Sequence, residues 1–207
     1  DMVSMARPFL ADPDFVNKAA ADRSDTINTC IGCNQACLDH TFSGKLTTCL
    51  VNPRACYETE LNYIPTTTVK KIAVVGAGPA GLAAATVAAE RGHQVTLFDS
   101  ANEIGGQFNI AKLVPGKEEF FETLRYFKSK LQSTGVDVRL NTRVSAADLL
   151  AGGFDEIILA TGIAPRTPDI PGIDHPMVIS YIDAILQRKP VGQHVAVIGA
   201  GGIGFCL

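Results

Sequence analysis

A glycine-rich turn between an apolar run and an alanine-rich stretch constrains the fold of this chain most. Residues 72–75 form a short apolar run suited to a buried parallel strand, and Gly76-Ala77-Gly78-Pro79-Ala80-Gly81 follows at once. The alanine-rich segment after it reads as a helix that ends near Gly92, and residues 95–98 read as a second strand. This order of strand, turn, helix and strand predicts a βαβ unit in an α/β domain.

The spacing of the glycines predicts a Rossmann-like site for a dinucleotide. Gly76 would make the tight turn, Gly78 would let the backbone approach a pyrophosphate, and Gly81 would let the helix pack closely on the sheet. Pro79 and Ala80 would begin the helix, whose N-terminus is suited to hold phosphate.

An acidic residue and a second pair of glycines extend this site. Asp99 ends the second strand, where a carboxylate accepts hydrogen bonds from ribose hydroxyls and repels a 2′-phosphate. The first nucleotide is therefore expected to be FAD or NAD and not NADP. Gly105 and Gly106, followed by Gln107, would let the next loop lie along the pyrophosphate of FAD.

An amphipathic helix opening at Lys117 and ending at Gly135 is interpreted as core packing. Its predicted apolar stripe consists of Phe120, Phe121, Leu124, Phe127 and Leu131. Lys117 itself is more often a solvated residue of the first turn than a cofactor contact.

A second glycine-rich turn predicts a second nucleotide. An apolar strand at 156–160 ends in Ala160-Thr161-Gly162, and a further run at 195–198 leads into Gly199-Ala200-Gly201-Gly202-Ile203-Gly204. Gly199, Gly201 and Gly204 repeat the spacing of the first turn.

Clustered cysteines upstream of the first turn predict a metal centre. Four of them stand within twenty residues, namely Cys30, Cys33, Cys37 and Cys49. The spacing C-x2-C-x3-C with one returning cysteine favours an iron–sulfur cluster, whereas zinc ligands commonly come as two pairs. Cys56 competes with Cys49 as fourth ligand but lies on the run that leaves the cysteine segment. Cys56 and Cys206 are interpreted as ordinary small side chains.

Composition narrows the class of protein. The chain has 207 residues, 46% of them hydrophobic, and a formal charge of −3, which gives no basic footprint for nucleic acid. No secretory signal begins it, and clustered cysteines in a reducing compartment favour metal binding over disulfides, so a cytoplasmic protein is expected. Residues 72–89 carry no charge, but the glycine-rich turn inside this stretch argues against a membrane span.

The order of these motifs resembles a known family. The chain resembles an FAD domain of the flavoprotein disulfide-reductase type with an inserted NAD(P)H domain. The motifs that carry this resemblance are, in order, the first glycine-rich turn, Gly-Gly-Gln, Ala-Thr-Gly and the second glycine-rich turn. Together with Met5-Ala6-Arg7-Pro8-Phe9-Leu10-Ala11-Asp12-Pro13 and Cys30-Ile31-Gly32-Cys33-Asn34-Gln35, the chain resembles bacterial NADPH-dependent 2,4-dienoyl-CoA reductases, which are iron–sulfur flavoproteins of the Old Yellow Enzyme and trimethylamine dehydrogenase kind.

The resemblance implies a fragment of a larger enzyme with four cofactor regions. Residues 1–25 would be the end of an FMN-binding TIM barrel, beginning with a buried strand and a turn. Residues 26–65 would be a [4Fe–4S] module with a linker, 66–190 the Rossmann-like FAD domain, and 191–207 the start of the NAD(P)H domain. Both ends look cut, so the FMN and NADPH sites are expected to be incomplete and the chain alone inactive.

Cofactor contacts follow from the resemblance residue by residue. Ala6 and Arg7 would close the FMN phosphate site, and the four clustered cysteines would bind the [4Fe–4S] cluster. The implied FAD contacts beyond the first turn are Asp99, Gly106, Gln107, Lys117, Val144, Ala160, Thr161 and Gly162. Gly199, Gly201 and Gly204 would bind NADPH. Without the resemblance, Arg7 also reads as a surface arginine after a strand.

The implied activity is an electron relay from NADPH through FAD, the cluster and FMN to a small-molecule acyl-CoA, a 2,4-dienoyl-CoA. No catalytic acid can be assigned within these residues, and neither a nucleic acid nor a membrane partner is expected. Two alternatives stay open. One is a related flavoenzyme of the enoate reductase or trimethylamine dehydrogenase type, and the other is a zinc-stapled nucleotide-binding module without enzymatic activity.

Overall fold

A computed structural model describes residues 2–199, 201–202 and 204. A parallel four-stranded sheet forms its centre, in the order β3-β2-β1-β4. The strands are β1 Lys71–Val75, β2 Gln94–Phe98, β3 Asp137–Arg139 and β4 Glu156–Leu159. The predicted α/β class with a Rossmann-like parallel sheet is confirmed, and the three predicted strands at 72–75, 95–98 and 156–160 form with bounds shifted by one residue at most.

Short helices and two long ones surround the sheet. The helices are α1 Arg7–Ala11, α2 Phe15–Ala20, α3 Leu38–Phe42, α4 Pro79–Glu90, α5 Phe108–Ala111, α6 Glu119–Thr134, α7 Ala146–Ala151 and α8 Tyr181–Ile185, with a 3-10 turn at Ser24–Thr26. In the part of the chain that is described, no helix is long and apolar enough to cross a membrane. The uncharged stretch at 72–89 is divided between β1 and α4.

Helices α4 and α6 cover one face of the sheet and form the main core. Leu82 of α4 and Val74 and Leu97 of the strands are fully buried, and Leu131 of α6 packs against the same cluster. The small side chains of α4 let this helix approach the sheet closely. The opposite face carries a smaller cluster of Ala73, Phe98 and Leu149.

Helix α6 follows the predicted stripe with one exception. It begins at Glu119, two residues later than predicted, and ends at Gly135, which has φ +71°. Phe127 packs against the core cluster, but Phe121 is 47% exposed, so its predicted burial is wrong. Phe121 lies one residue from Phe120 and therefore about 100° round the helix from the stripe, and the Lys112 ammonium lies 5.1 Å from its ring.

Two predicted strands do not form among the described residues. Residues 2–5 and 195–198 have no regular structure, and Met2 and Ile198 are 96% and 71% exposed. An apolar run becomes a strand only where a neighbouring strand accepts and donates its hydrogen bonds, and neither run has one here. The turn predicted at Arg7 is the start of helix α1.

The N-terminal region is held together mainly by polar contacts. Asp12 and Asn28 are both buried, and the Asn28 N–H donates to Asp12 Oδ2 at 2.8 Å. The Lys18 ammonium pairs with the same carboxylate at 2.6 Å. The Asn28 side chain also donates to the carbonyls of Ala11 and Val51. Helix α1 is thereby tied to both ends of the cysteine segment.

Candidate dinucleotide and cysteine sites

The carboxyl ends of β1, β2 and β4 place the predicted nucleotide residues on one edge of the sheet. Val75 pairs in register with Phe98 on one side and with Leu159 on the other. The residue that follows each strand therefore lies at the same edge of the sheet. These residues are Gly76, Asp99 and Ala160. This edge, where the strand order changes direction around β1, is where open α/β sheets bind ligands.

Gly76 and Gly81 cannot carry a side chain in this arrangement. Gly76 has φ +108°, and a Cβ there would lie 2.2 Å from the carbonyl oxygen of Ala160. A Cβ on Gly81 would lie 1.8 Å from the Gly76 carbonyl oxygen. The predicted roles of these two glycines, turn and close packing, correspond to contacts that the structure contains. Thr161 also lies against Gly76, with its Cα 3.2 Å from that Cβ position.

Gly78 faces open space. It has φ −75°, and among the described residues beyond its chain neighbours no atom lies within 4 Å of the position that its Cβ would occupy. Gly106 lies across from it, since a Cβ on Gly106 would be 3.1 Å from the Gly78 Cα, and the Gly105 N–H donates to Ala77 O at 2.8 Å. The two glycine-rich loops therefore support each other and leave a bare backbone surface at the start of α4. Pro79 and Ala80 form the first turn of that helix, as predicted.

Asp99 accepts hydrogen bonds from two backbone N–H groups. Its Oδ2 accepts from Ala77 at 2.6 Å and its Oδ1 from Ala101 at 2.8 Å. Its own carbonyl accepts from Thr142 at 2.8 Å. Each carboxylate oxygen has two lone pairs, so acceptor capacity remains for a ligand hydroxyl. Asp99 thus holds the glycine-rich turn through the Ala77 N–H and keeps acceptor capacity for a ligand hydroxyl next to that turn.

The remaining predicted FAD residues are less tightly grouped. Gln107 is exposed and begins α5, and the Tyr181 hydroxyl lies 3.5 Å from its Oε1. Lys117 lies in the connection between α5 and α6. Val144 is half-buried against the smaller core cluster on the other face of the sheet. Gly162 has φ +73° and follows the segment packed on Gly76.

The second glycine-rich turn repeats the local geometry of the first. Gly199 has φ +116°, close to the value at Gly76, and a Cβ on Gly204 would lie 2.1 Å from the Gly199 carbonyl oxygen. At Gly201, as at Gly78, no described residue beyond the immediate chain neighbours lies within 4 Å of the Cβ position. Ala200, Ile203 and Cys206 lie outside the described residues.

The four clustered cysteines line one small depression in the surface. Cys30, Cys33, Cys37 and Cys49 are half-buried there, beside Arg7 and Val51. The Thr48 N–H donates to Ala36 O at 2.8 Å, which brings the returning segment against the C-x2-C-x3-C loop. Cys56 is exposed, has φ +64°, and is not among the lining residues.

The surroundings of Cys49 combine burial with hydrogen-bond donors. Burial raises the pKa of the Cys49 thiol, the N–H groups of Val51 and Asn52 oppose this by hydrogen bonding, and nearby Cys30 and Cys33 add to the rise. Among the described residues, no three His, Cys, Asp or Glu side chains converge as ligands of a single metal ion would. A cluster does not require that convergence, because its thiolates bind different iron atoms.

Arg7 lies beside the cysteine loop. Its Nη1 donates to Asn34 Oδ1 at 2.5 Å, and Asn34 has φ +59° between Cys33 and Cys37. Ala6 precedes helix α1. The expected FMN contact of these two residues stays a prediction.

One prominent polar contact was not predicted from the sequence. Arg125 of α6 donates to three backbone carbonyls of the segment that enters the cysteine loop. A single arginine on an amphipathic helix reads as a solvated residue, and no pattern indicated a partner about 100 residues away.

Fold and site together define an oxidoreductase domain with a Rossmann-like sheet of the class that binds FAD and NAD(P). Residues 70–207 match the family described as pyridine nucleotide-disulphide oxidoreductase, and the chain belongs to that family.

Similar proteins extend over nearly the whole chain. It is 39% identical to a metal reductase of Desulforamulus reducens over 99% of its length and 31% of the relative's, and 36% identical to a cinnamate reductase of Clostridium sporogenes over 99% and 30%. A solved complex of 2-naphthoyl-CoA reductase with 2-naphthoyl-CoA superposes with a TM-score of 0.92, at 36% identity over 98% of this chain and 31% of that one. The chain thus spans about a third of the length of these proteins.

Proposed function

We propose that this chain is the electron-transfer part of an NAD(P)H-dependent flavoprotein reductase that acts on a conjugated, unsaturated acyl group. The observation that carries the proposal is the presence, in one folded chain, of an open dinucleotide cradle at Gly78 and a depression lined by four cysteines.

FAD fits the first glycine-rich turn. The bare backbone at Gly78 and Gly106 leaves room for a pyrophosphate at the N-terminus of α4, a helix of 12 residues. The Asp99 carboxylate is fixed by two N–H groups at the same edge, where it would accept from a ribose hydroxyl and repel a 2′-phosphate. Gly76, Gly81 and the segment from Ala160 would form the close-packed base of the site.

A second nucleotide, NADH or NADPH, fits the later turn for the same reason. Gly199 and Gly204 make the close contact that Gly76 and Gly81 make in the first turn, and Gly201 leaves the same open space as Gly78. This repetition supports a pyrophosphate at each turn.

An iron–sulfur cluster is the group that fits the cysteine depression best. Four thiols share one lining, and backbone N–H groups near Cys49 would stabilise sulfur that carries negative charge. Three of the cysteines come in the C-x2-C-x3-C spacing, whereas structural zinc commonly takes two pairs.

The bound groups would supply hydride transfer from NAD(P)H, single-electron transfer through the cluster, and hydride transfer from FMN to the substrate, in that order. The chain's own residues would bind and orient them. Asp99 and the glycine-rich loops would fix FAD, the four cysteines would hold the cluster, and Arg7 with Ala6 would lie towards FMN. The Arg7 side chain already contacts Asn34 of the cysteine loop.

The substrate class rests on chemistry and on the relatives. Two of the similar proteins are named as reductases of cinnamate and of 2-naphthoyl-CoA, both of which carry unsaturation conjugated to a carbonyl group. We propose a conjugated acyl-CoA as the substrate, with 2,4-dienoyl-CoA as the candidate from the sequence.

The test is substrate-dependent oxidation of NADPH and NADH by the full-length protein, purified without oxygen. We expect oxidation to accelerate on addition of a 2,4-dienoyl-CoA, and the saturated acyl-CoA to serve as the inactive control. Rapid flavin reduction with no response to any conjugated acyl-CoA or free enoate would contradict the substrate class. A protein that binds no flavin would contradict the proposal as a whole.

A further inference from the structure

Arg125 connects the nucleotide-binding domain to the segment that enters the cysteine loop. Its Nη1 donates to the carbonyls of Ser24, at 2.9 Å, and Asp25. Its Nη2 donates to Ile27 O at 2.9 Å and Thr29 Oγ1 at 3.3 Å. All these acceptors come from one stretch of six residues, 24–29.

The remaining N–H of the guanidinium is also engaged. Arg125 Nε donates to Glu122 Oε2 at 2.6 Å, one turn earlier on α6. Glu122 thereby fixes the plane of the guanidinium, so that its two terminal nitrogens face residues 24–29. A lysine has a single ammonium on a flexible stem and cannot distribute donors over four acceptors in this way.

Residues 24–29, to which Arg125 donates, lead directly into the first of the predicted cysteine ligands. Thr29 precedes Cys30, and neighbouring Asn28 is buried and donates to Val51 O at 2.7 Å, two residues after Cys49. Arg125 on one side and Asn28 on the other therefore hold the backbone at the entrance to the cysteine loop.

Helix α6 also packs into the core of the nucleotide-binding domain. Leu131 and Phe127 pack into the core with Leu82 of α4, the helix whose N-terminus carries the glycine-rich turn. A continuous series of contacts thus runs from α4 through α6 to Arg125, and from there to Thr29, the residue before Cys30.

We propose that Arg125 is a positioning residue that sets the separation between the flavin and the iron–sulfur cluster, an inference that rests on the proposed function. Arg125 is not among the residues that line the cysteine depression. It acts by holding residues 24–29 against α6, and single-electron transfer between the two groups depends on the distance that this contact fixes.

The test compares R125Q with R125K and with K128Q in the full-length holoprotein. Lys128 is an exposed basic residue on the same helix, and within the described part of the chain it makes no hydrogen bond or ion pair. After mixing with NADPH, flavin bleaching should be unchanged in all variants. Reduction of the cluster, followed by freeze-quench electron paramagnetic resonance, should slow at least tenfold in R125Q, less in R125K and not in K128Q.

Hydrogen exchange provides a readout that is independent of electron flow. The N–H groups of Thr26 and Ile27 donate to the carbonyls of Arg23 and Ser24, and that of Asn28 donates to Asp12 Oδ2, so their exchange reports on the order of residues 24–29. Their exchange should accelerate in R125Q and stay unchanged in K128Q. If exchange accelerates while cluster reduction keeps its rate, Arg125 is only a structural contact and the inference is wrong. If R125Q and K128Q have the same rates of cluster reduction and of hydrogen exchange, Arg125 does not hold residues 24–29 in place.

The two proposals fail in different ways. A wild-type protein that contains no flavin or no iron overturns the proposed function, and the electron-transfer role of Arg125 with it. A wild-type protein that contains both, with R125Q unaffected, overturns the role of Arg125 alone. If R125Q does not fold, R125K decides, because it keeps the charge and removes the planar set of donors.

Discussion

At the scale of single residues, the three glycines of the first turn, Gly76, Gly78 and Gly81, lack a side chain for different steric reasons. Gly76 and Gly81 are required by contacts inside the protein, since their Cβ positions lie 2.2 Å and 1.8 Å from backbone oxygens. Gly78 has no such contact, and its φ of −75° is open to any residue. Under the proposed function, its lack of a side chain leaves room for the pyrophosphate.

This difference predicts opposite outcomes for two alanine substitutions. Gly81→Ala should destabilise the fold, by about 1–3 kcal/mol or more, because the added methyl group overlaps backbone. Gly78→Ala should leave the melting temperature nearly unchanged and weaken FAD at least tenfold, since the methyl group fills the pyrophosphate cradle. Thermal unfolding and flavin fluorescence titration measure the two effects.

Gly192→Ala is the matched control, because Gly192 lies far from the turn in sequence and has space for a Cβ, with His194 O 4.0 Å away. It should change neither stability nor flavin affinity. Full flavin affinity in Gly78→Ala would show that the cradle is not the FAD site.

Asp99 supplies the carboxylate at the first glycine-rich turn. Asp99→Ala removes the acceptor for the Ala77 and Ala101 N–H groups as well as the proposed bond to the ribose. A charge-assisted hydrogen bond contributes about 1.5–3 kcal/mol, so FAD retention should fall roughly tenfold to a hundredfold. Asp137→Ala on β3 removes an exposed carboxylate whose partner is Arg139, and should have no effect on FAD. Equal FAD affinity in Asp99→Ala and wild type would refute the role of Asp99.

At the scale of elements, the cysteine segment depends on a returning strand-like segment as much as on its loop. Thr48 bonds to Ala36, and Cys49 forms an isolated antiparallel bridge with Asn52. The bond from Thr48 to Ala36 brings Cys49 to the other three cysteines, while Cys56 is exposed on a turn and is not among the residues that line the depression.

Substitution of single cysteines by serine separates ligands from bystanders. Cys49→Ser should lose iron, sulfide and the broad brown absorbance, because a hydroxyl is a poor ligand for a cluster that prefers thiolates. Cys56→Ser should keep all three near full strength and serves as the matched control. Loss of iron in Cys56→Ser with retention in Cys49→Ser would reverse the assignment of the fourth ligand.

Local patterns predicted the elements whose partners are near in sequence. The runs at 72–75 and 95–98 are strands because one βαβ unit supplies both, and Gly135 ends α6 because its φ of +71° suits glycine. Residues 2–5 and 195–198 look just as apolar, but strand formation requires a partner that the pattern does not reveal. The contact of Arg125 with residues 24–29 was unpredictable for the same reason, since three of its acceptors are backbone carbonyls, which carry no sequence pattern.

At the scale of the whole molecule, the first glycine-rich turn and the cysteine depression are joined through α4 and α6. The predicted site residues on the sheet edge came together because parallel strands end in register. Lys117 and Val144 came from resemblance alone, and the structure places them in a connection and beneath the opposite sheet face. The chain matches about a third of its relatives' length, so the complete relay is a property proposed for the longer protein.

The cofactor content of the protein purified without oxygen tests the proposed function most directly. An ultraviolet-visible spectrum, combined with assays for flavin, iron, acid-labile sulfide and zinc, reads both proposed sites at once. We expect one FAD and about four iron and four sulfide per chain, with overlapping flavin and iron–sulfur absorbance. A colourless protein that contains zinc and neither flavin nor sulfide would contradict it.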